Sequence, residues 1–314
     1  MTTPPSLMPC RRVLCAGLLL IARAGSAQTP QPSAAQAPSP APPTTASVMA
    51  AATAADWRPL DPENTLYLEI AAGRVIIEIA PAFAPNHAAN VKALVREGYF
   101  DGLTINRVQD NYVVQWGDAN EREGRRPIKT AKATLPGEFD RAIGPDIPFT
   151  AGPDGDVYAA EAGWSMGFPA ARDPKSGRTW IPYCYGVLGT ARSGDPASGG
   201  GSQLFVIIGH SPRHLDRNYT AFGRVVKGIE LLSALPRGSS GNLGFYAKAE
   251  QRVTIQKIRV AADVPEGERT PLQVLRTDSA TFKSLVMARR TRTEAGFQYP
   301  VGRIEVCNVS IPVK

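Results

Sequence analysis

Short apolar runs rich in β-branched and aromatic residues recur along the chain from residue 65 onward. Residues 66–70 and 74–79 are two such runs, and they flank Ala71-Ala72-Gly73, a turn in which the glycine accepts a positive φ. This arrangement predicts a β-hairpin. The same pattern predicts further strands at residues 104–108, 112–116, 186–189, 204–208, 221–226 and 253–260.

Helical spacing of apolar residues occurs at two places between these strands. Residues 86–96 repeat apolar positions at helical intervals and stop at Gly98, and residues 229–235 form a shorter segment ahead of Pro236. Many short strands with two helices predict a mainly β fold, a closed antiparallel β-barrel capped by two helices.

Residues 119–183 do not follow the strand pattern, because glycine and proline interrupt them repeatedly. We expect long loops packed on the barrel, since a loop of this length is usually either functional or disordered and aromatic residues favour order. The expected anchors are Trp164, Phe168, Trp180 and Tyr183.

Residues 263–314 are expected to add an accessory helix and strand packed on the barrel, because the segment is too short for a core of its own. Asp278 or Ser279 is a suitable N-cap for a helix over residues 280–292, and residues 303–309 are predicted as a strand. The last helical turn carries three arginines, which suit the helix dipole and a solvated face or, alternatively, an acidic partner. These are Arg289, Arg290 and Arg292.

The first residues have the pattern of an export signal. Arg11 and Arg12 precede an apolar stretch that ends near Ala22, and small residues follow up to Ala27, so residues 1–27 are predicted as a signal peptide. Residues 28–56 are rich in proline and alanine and carry one charge, which predicts a disordered linker. The folded part is then expected to start at residue 57, in an exported protein of the bacterial periplasm.

Composition excludes several classes of function. The 314 residues carry a net charge of +7, spread along the chain without the Lys/Arg stripe of a nucleic-acid binder. No apolar run reaches the length of about 18 residues that a membrane-spanning helix needs. The three histidines form no metal-binding pair, and no phosphate loop or nucleophile elbow is present, so we expect neither a metal nor a cofactor. The oligomeric state is not predictable from these features.

Cys184 and Cys307 are the two cysteines beyond the predicted signal peptide. In an oxidising compartment they have one possible disulfide, which would attach the C-terminal segment to the barrel. Two separate buried thiols are the alternative, because the 123 positions between them leave their proximity open.

Three blocks of sequence carry the most specific signal. They are YFDGLTINRV with YVVQWGD at residues 99–108 and 112–118, GSQLFVI at residues 201–207, and HLDRNYTAFGRV at residues 214–225. In this order they resemble the cyclophilin-type peptidyl-prolyl cis-trans isomerases, whose blocks read YYDG…FHRV…FxxQGGD, GSQFFI and WLDGxHxxFGxV. The resemblance covers about residues 65–262, so it implies a cyclophilin-like domain over residues 57–262 that contains the 119–183 insertion.

The resemblance implies a role for individual residues. Arg107 matches the family's catalytic arginine, and Gln115 matches the glutamine that bonds the substrate backbone. Ala191 and Arg192 fall where the family presents backbone groups to the residue before the proline. The remaining matches belong to the pocket that holds the proline ring: Tyr112, Val113, Gln203, Phe205, His214, Leu215 and Tyr219.

Such a set of residues is suited to catalysing rotation about an Xaa-Pro bond. The barrier is about 20 kcal/mol because the planar amide loses its resonance, but no covalent bond breaks, so neither nucleophile nor metal is required. A guanidinium that donates to the twisted amide stabilises the transition state more than the ground state. The expected partners are therefore proline-containing segments of unfolded or folding exported proteins.

Several positions depart from the family pattern. His214 stands where many members have tryptophan, Tyr219 where many have histidine, and Val113 where methionine is usual. These departures keep a second function open, a non-catalytic module or chaperone that binds proline peptides. A third, more remote alternative is an envelope scaffold that uses residues 119–183 as its functional surface.

Overall fold

The computed structural model describes residues 42–119 and 125–314. Four α-helices lie in these ranges: α1 (Thr45–Ala50), α2 (Pro85–Arg96), α3 (Ile229–Ser233) and α4 (Ala280–Thr291). The first strands in chain order are β1 (Trp57–Pro59), β2 (Thr65–Ile70), β3 (Gly73–Ile79), β4 (Thr104–Val108) and β5 (Val113–Gly117). They are followed by β6 (Arg141–Ala142), β7 (Thr150–Ala151), β8 (Glu161–Ser165), β9 (Phe168–Asp173) and β10 (Arg178–Trp180). The last strands are β11 (Val187–Thr190), β12 (Gln203–Ile207), β13 (Ala221–Lys227), β14 (Val253–Val260) and β15 (Gln273–Leu275).

Eight antiparallel strands form a closed barrel in the order β11-β12-β5-β4-β14-β2-β3-β13. Alternate residues of each strand point inward, so that Val114 and Trp116 of β5 join the barrel core with Leu204 and Val206 of β12. The predicted barrel and the hairpin of β2 and β3 are therefore confirmed. Both predicted helices are present as α2 and α3.

The segment predicted as long loops contains a sheet instead. Strands β6 to β10 pair as a five-stranded antiparallel sheet in the order β6-β10-β9-β8-β7. Its strands are two to six residues long, and glycine and proline lie between them. The sequence therefore shows no long apolar run that would predict these strands. The expected aromatic anchors Trp164, Phe168, Trp180 and Tyr183 are all buried.

The linker predicted up to residue 56 ends earlier. Residues 45–50 form α1, whose N-cap Thr44 accepts a hydrogen bond from the Ser47 N–H, and Val48 is buried in a core shared with α4. The composition of residues 28–56 does not indicate this short helix, because its apolar side chains pack into a core made by distant residues, those of α4 among them. The predicted signal peptide and residues 28–41 lie outside the described residues.

The C-terminal extension has the predicted helix but not the predicted strand. Ser279 caps α4 by accepting from the Phe282 N–H at 3.0 Å. Residues 303–309 contain only a 3₁₀ turn at Val306–Asn308, because Ile304, Val306 and Val309 pack into the core instead of pairing at a sheet edge. The strand pairing in this part of the chain involves other residues: β15 pairs with β1, and Val274 forms a β-bridge with Val313.

A disulfide joins Cys184 to Cys307, with the two Cα atoms 4.9 Å apart. It attaches the C-terminal extension to the segment just before β11. Of the helices in the described ranges, none has the length and apolar character needed to cross a membrane.

Candidate active site

Three neighbouring barrel strands align the central residues of the site on the outer face of the barrel. Gln115 of β5 stands opposite Arg107 of β4 on one side and opposite Phe205 of β12 on the other. Val113 of β5 faces the same way, because residues two apart on a strand share a face, and it stands opposite Ile207. The barrel thus places a cation, an amide and apolar side chains in one row.

A β-bulge in β4 brings Arg107 into this row. Ile105 pairs with Trp116, yet Arg107 rather than Asn106 pairs with Gln115, so Asn106 is the extra residue. Without the extra residue, strict alternation would turn Arg107 toward the barrel interior.

Hydrogen bonds to three acceptors hold the Arg107 guanidinium. Nη1 donates to Oε1 of Gln115 at 3.1 Å, Nε donates to the carbonyl of Leu243 at 2.7 Å, and Nη2 donates to the side chain of Gln109. The Cζ atom lies 5.2 Å from the ring centroid of Phe245. Burial lowers the pKa of Arg107 below its ordinary value, yet an arginine remains charged at any working pH.

Residues 238–245 supply partners that the sequence did not indicate. This segment lies along β4, where Val108 donates its N–H to Gly244 at 2.8 Å and Arg107 forms a bridge with Phe245. Gly244 has a φ of +82°, and a Cβ there would lie 2.5 Å from Cα of Gln109. A glycine is needed at this close approach, but a glycine in a loop does not by itself indicate such a contact in the sequence.

A second amide continues the row behind Gln115. Nε2 of Gln115 lies 3.5 Å from Oε1 of Gln203, and Nε2 of Gln203 donates to the carbonyl of Asp118 at 2.6 Å. Because Oε1 of Gln115 accepts from Arg107, the orientation of both amides is fixed by their neighbours.

Apolar side chains form a wall beside this polar row. Val113, Phe205 and Leu215 are 2%, 5% and 6% exposed, and they belong to one cluster against which Tyr112, Ala191 and Tyr219 pack. The Phe205 ring meets Tyr219 edge-to-face at 6.1 Å and stacks on Tyr183 at 5.7 Å, measured between ring centroids. Such a surface suits a small apolar ring.

The remaining candidate residues lie at the rim. His214 is exposed and its ring lies parallel to Tyr112, with centroids 6.3 Å apart. Cζ of Arg192 lies 4.6 Å from the centroid of Tyr219, and its Nε donates to the carbonyl of Asn218. The Ala191 N–H donates to the backbone carbonyl of Gln203 at 3.0 Å.

A buried ionic cluster fastens the pocket wall to the inserted sheet. Arg213 precedes Leu215 in one 3₁₀ turn, and its guanidinium contacts Asp156 and Asp216, each at 2.7 Å. Asp216 also accepts from the Tyr183 N–H at 2.8 Å, and burial raises its pKa above the ordinary value. Motif comparison gave no role to Asp156 or Arg213, whose partnership spans 57 positions.

Similarity to known proteins agrees with this geometry. The family model for "Cyclophilin type peptidyl-prolyl cis-trans isomerase/CLD" matches residues 65–260. A "Probable peptidyl-prolyl cis-trans isomerase" of Brucella abortus is 29% identical over 203 residues, which cover 65% of this chain and 85% of the relative. The human "Peptidyl-prolyl cis-trans isomerase-like 1" is 24% identical over 222 residues, covering 70% of this chain and all of the relative.

A solved structure extends the similarity beyond the barrel. The crystal structure of cyclophilin AquaCyp293 from Hirschia baltica superposes with a TM-score of 0.68 at 28% identity. The match covers 86% of this chain and 97% of that one, which is more of this chain than the family model spans.

Proposed function

The chain belongs to the cyclophilin-type peptidyl-prolyl cis-trans isomerases, and we propose that it rotates Xaa-Pro bonds on the outer barrel face formed by Arg107, Gln115 and Phe205. The observation that carries this proposal is the register of the three residues, which stand opposite one another on β4, β5 and β12. A proline ring against Phe205 would have its amide beside the guanidinium.

Arg107 is proposed as the catalytic residue. A guanidinium has five N–H groups, and acceptors among the described residues engage three of those of Arg107. The other two are available to the amide as it twists, when its nitrogen becomes pyramidal and basic. Because the guanidinium is already oriented, little reorganisation is required during the reaction.

The neighbouring groups are proposed to bind rather than to react. Val113, Phe205, Leu215 and the partly buried Tyr112 and Tyr219 would hold the proline ring, while Gln115 would orient Arg107 and bond the substrate backbone. Rotation of the amide transfers no group and breaks no bond, so this mechanism uses no cofactor.

Isomerisation of short Xaa-Pro peptides, measured with and without the protein, tests the proposal. We expect faster cis-trans exchange with the wild-type chain and a large loss in Arg107→Ala. Binding of these peptides without acceleration would instead support the non-catalytic proline-peptide module.

We further propose that the protein is exported to the periplasm and acts there on proline-containing segments of folding proteins. The charged, apolar and small-residue order of residues 1–27 supports export, and the Cys184–Cys307 disulfide suits an oxidising compartment. An intact-mass measurement on the periplasmic fraction tests this. We expect a chain that starts at Gln28, whereas one that still starts at Met1 would contradict cleavage.

A further inference from the structure

A groove of about 840 Å³ lies between the inserted sheet region and the C-terminal extension. Its walls come from residues 154–157, from the end of α4 and from residues 297–308, and we call it the arginine groove. The mechanism proposed above uses none of these residues.

Exposed apolar side chains are concentrated in this groove. Among the described residues nine large apolar side chains are exposed, and four of them line it. Phe297, Tyr299 and Val301 are 48%, 90% and 81% exposed and alternate along the chain, and Val157, which lines the groove from the inserted region, is 88% exposed. Large exposed apolar patches rimmed by polar groups mark sites of protein interaction.

The charge of the groove is positive. Arg290 forms a two-pronged ion pair with Asp154, at 2.9 and 3.1 Å, and thereby neutralises that carboxylate. Arg289, Arg292 and Arg303 also line the groove, whose second acid is Glu305, and Arg292 lies near Glu294 outside the lining. Burial lowers the pKa of Arg289 below its ordinary value, and the neighbouring Arg292 cation lowers it further. An acidic ligand would relieve this repulsion.

The walls of the groove are held in place without a ligand. Asp154 accepts from the Ile304 N–H at 2.9 Å as well as from Arg290, so one carboxylate joins the inserted region to both parts of the extension. The Arg292 guanidinium lies over the Phe297 ring, with Cζ 5.2 Å from its centroid. A preformed groove loses less entropy when it binds.

One short segment connects the arginine groove to the proline pocket. Asp154, Gly155 and Val157 line the groove. The neighbouring Asp156 and Tyr158 contact Arg213, whose 3₁₀ turn carries Leu215 of the pocket wall. Asp156 is two residues from Asp154, and Arg213 is two residues from Leu215, so a single ion pair links the groove to the pocket wall. An extended chain, which spans about 3.3 Å per residue, can contact both places.

We propose that the arginine groove binds an extended, acidic polypeptide segment with aromatic or aliphatic side chains, in the same protein whose prolyl bond occupies the active site. This inference rests on the proposed isomerase function. Binding at the groove raises the effective concentration of nearby prolyl bonds at Arg107.

A proline-free, fluorescein-labelled peptide of about twelve residues that alternates glutamate with phenylalanine probes the groove separately from the active site. We expect it to bind the full chain, to bind Arg107→Ala equally well, and to bind less tightly as ionic strength rises. The double variants Arg292→Glu/Arg303→Glu and Tyr299→Ser/Val301→Ser should each lose at least about tenfold in affinity. The control Lys175→Glu/Lys257→Glu makes the same change of net charge at exposed positions outside the groove.

Kinetics separate this inference from the proposed function. The groove variants should isomerise a short Xaa-Pro peptide at the wild-type rate. Attaching an acidic segment to that peptide should lower its KM for the wild-type protein but not for the groove variants. If the wild-type chain did not isomerise the short peptide, the isomerase mechanism would be refuted. The affinities of the labelled peptide would still show whether the groove binds it. The proposal would be overturned if the groove variants bound the labelled peptide as tightly as the wild type, or if the lysine control lost as much affinity as the groove variants.

Two other occupants give distinct results. The Thr45 N–H donates to Glu294 at 3.3 Å, so α1 begins beside the segment that follows α4. Tighter peptide binding after deletion of residues 28–41 would assign the groove to the chain's own N-terminal segment and overturn the proposal. A dimer in solution that dissociates in the groove variants would assign it to a second copy, with the same consequence.

Discussion

Oε1 of Gln115 accepts a hydrogen bond from Nη1 of Arg107 at 3.1 Å, and these two residues stand opposite each other on β4 and β5. The glutamine oxygen therefore orients the guanidinium before any substrate arrives. The Gln115 Nε2 atom lies near Gln203, whose own amide is tied to the Asp118 carbonyl, so the orientation extends to a third strand.

Replacing Arg107 tests the proposed transition-state role. Arg107→Ala should lower kcat/KM for Xaa-Pro peptides by about 10²–10³, because one oriented donor to the twisted amide is lost, while peptide affinity changes little. Arg107→Lys should recover only part of the rate, since an ammonium lacks the planar fork. Circular dichroism monitors folding, and the exposed Arg276→Ala is the matched control. A fully active, folded Arg107→Ala protein would refute the mechanism.

Removing a wall residue should have a different kinetic effect. Tyr112 packs against the apolar cluster and lies beside His214, so Tyr112→Ala removes contacts made in both the ground and the transition state. We expect KM to rise with a smaller change in kcat. Steady-state kinetics and direct peptide titration measure the two effects, and a large fall in kcat at constant affinity would contradict the assignment.

The ionic cluster of Arg213, Asp156 and Asp216 should contribute strongly to the free energy of unfolding. Arg213→Ala leaves the carboxylates of Asp156 and Asp216 buried without their cation, a change that typically costs about 3–5 kcal/mol. Denaturant unfolding measures this loss. Arg276→Ala, which breaks an exposed ion pair with Asp278, should cost no more than about 1 kcal/mol. Equal effects of the two substitutions would show that the cluster does not support the fold.

Acid should weaken the protein partly through Glu138. Burial opposes ionisation of this carboxylate, but hydrogen bonds from the His87 ring and from the N–H groups of His87 and Asn86 outweigh it, so the pKa of Glu138 lies below its ordinary value of 4.5. A depressed pKa gives stability that is present above pH 4.5 and disappears as the pH falls through the folded-state pKa.

Glu138→Gln should therefore flatten the fall of unfolding free energy below about pH 4.5. Denaturant titrations at a series of pH values measure this slope. Glu250→Gln, at an exposed position outside the arginine groove, is the control and should change the slope less. A slope in Glu138→Gln equal to that of the wild type would exclude this carboxylate as a source of acid sensitivity.

The disulfide should stabilise the folded chain by restricting the unfolded one. Closing a loop across 123 positions is worth up to about 4–5 kcal/mol in the chain-entropy model, so Cys307→Ser should lower the free energy of unfolding by a similar amount. Reductant should destabilise the wild type but not the variant. Alkylation of the denatured, unreduced protein followed by peptide mapping should leave Cys184 and Cys307 unlabelled.

The sequence alone determined the features that depend on neighbouring residues. The many short β-branched and aromatic runs, with only two helices between them, predicted the barrel. The ordered motifs pointed to Arg107, Gln115 and Phe205, which stand in register on adjacent strands. Helical spacing and a capping serine located α4 within one residue of its observed end.

Only the tertiary structure decided which distant segments complete the site. The bulge at Asn106 depends on the register between β4 and β5, which the pattern of one strand does not contain. The Leu243 carbonyl reaches Arg107 across 136 positions, and Arg213 reaches Asp156 across 57. Helix α1 and the inserted sheet likewise bury their apolar residues against remote partners. Such contacts stabilise the fold only once the chain has closed the intervening loops, so no local pattern encodes them.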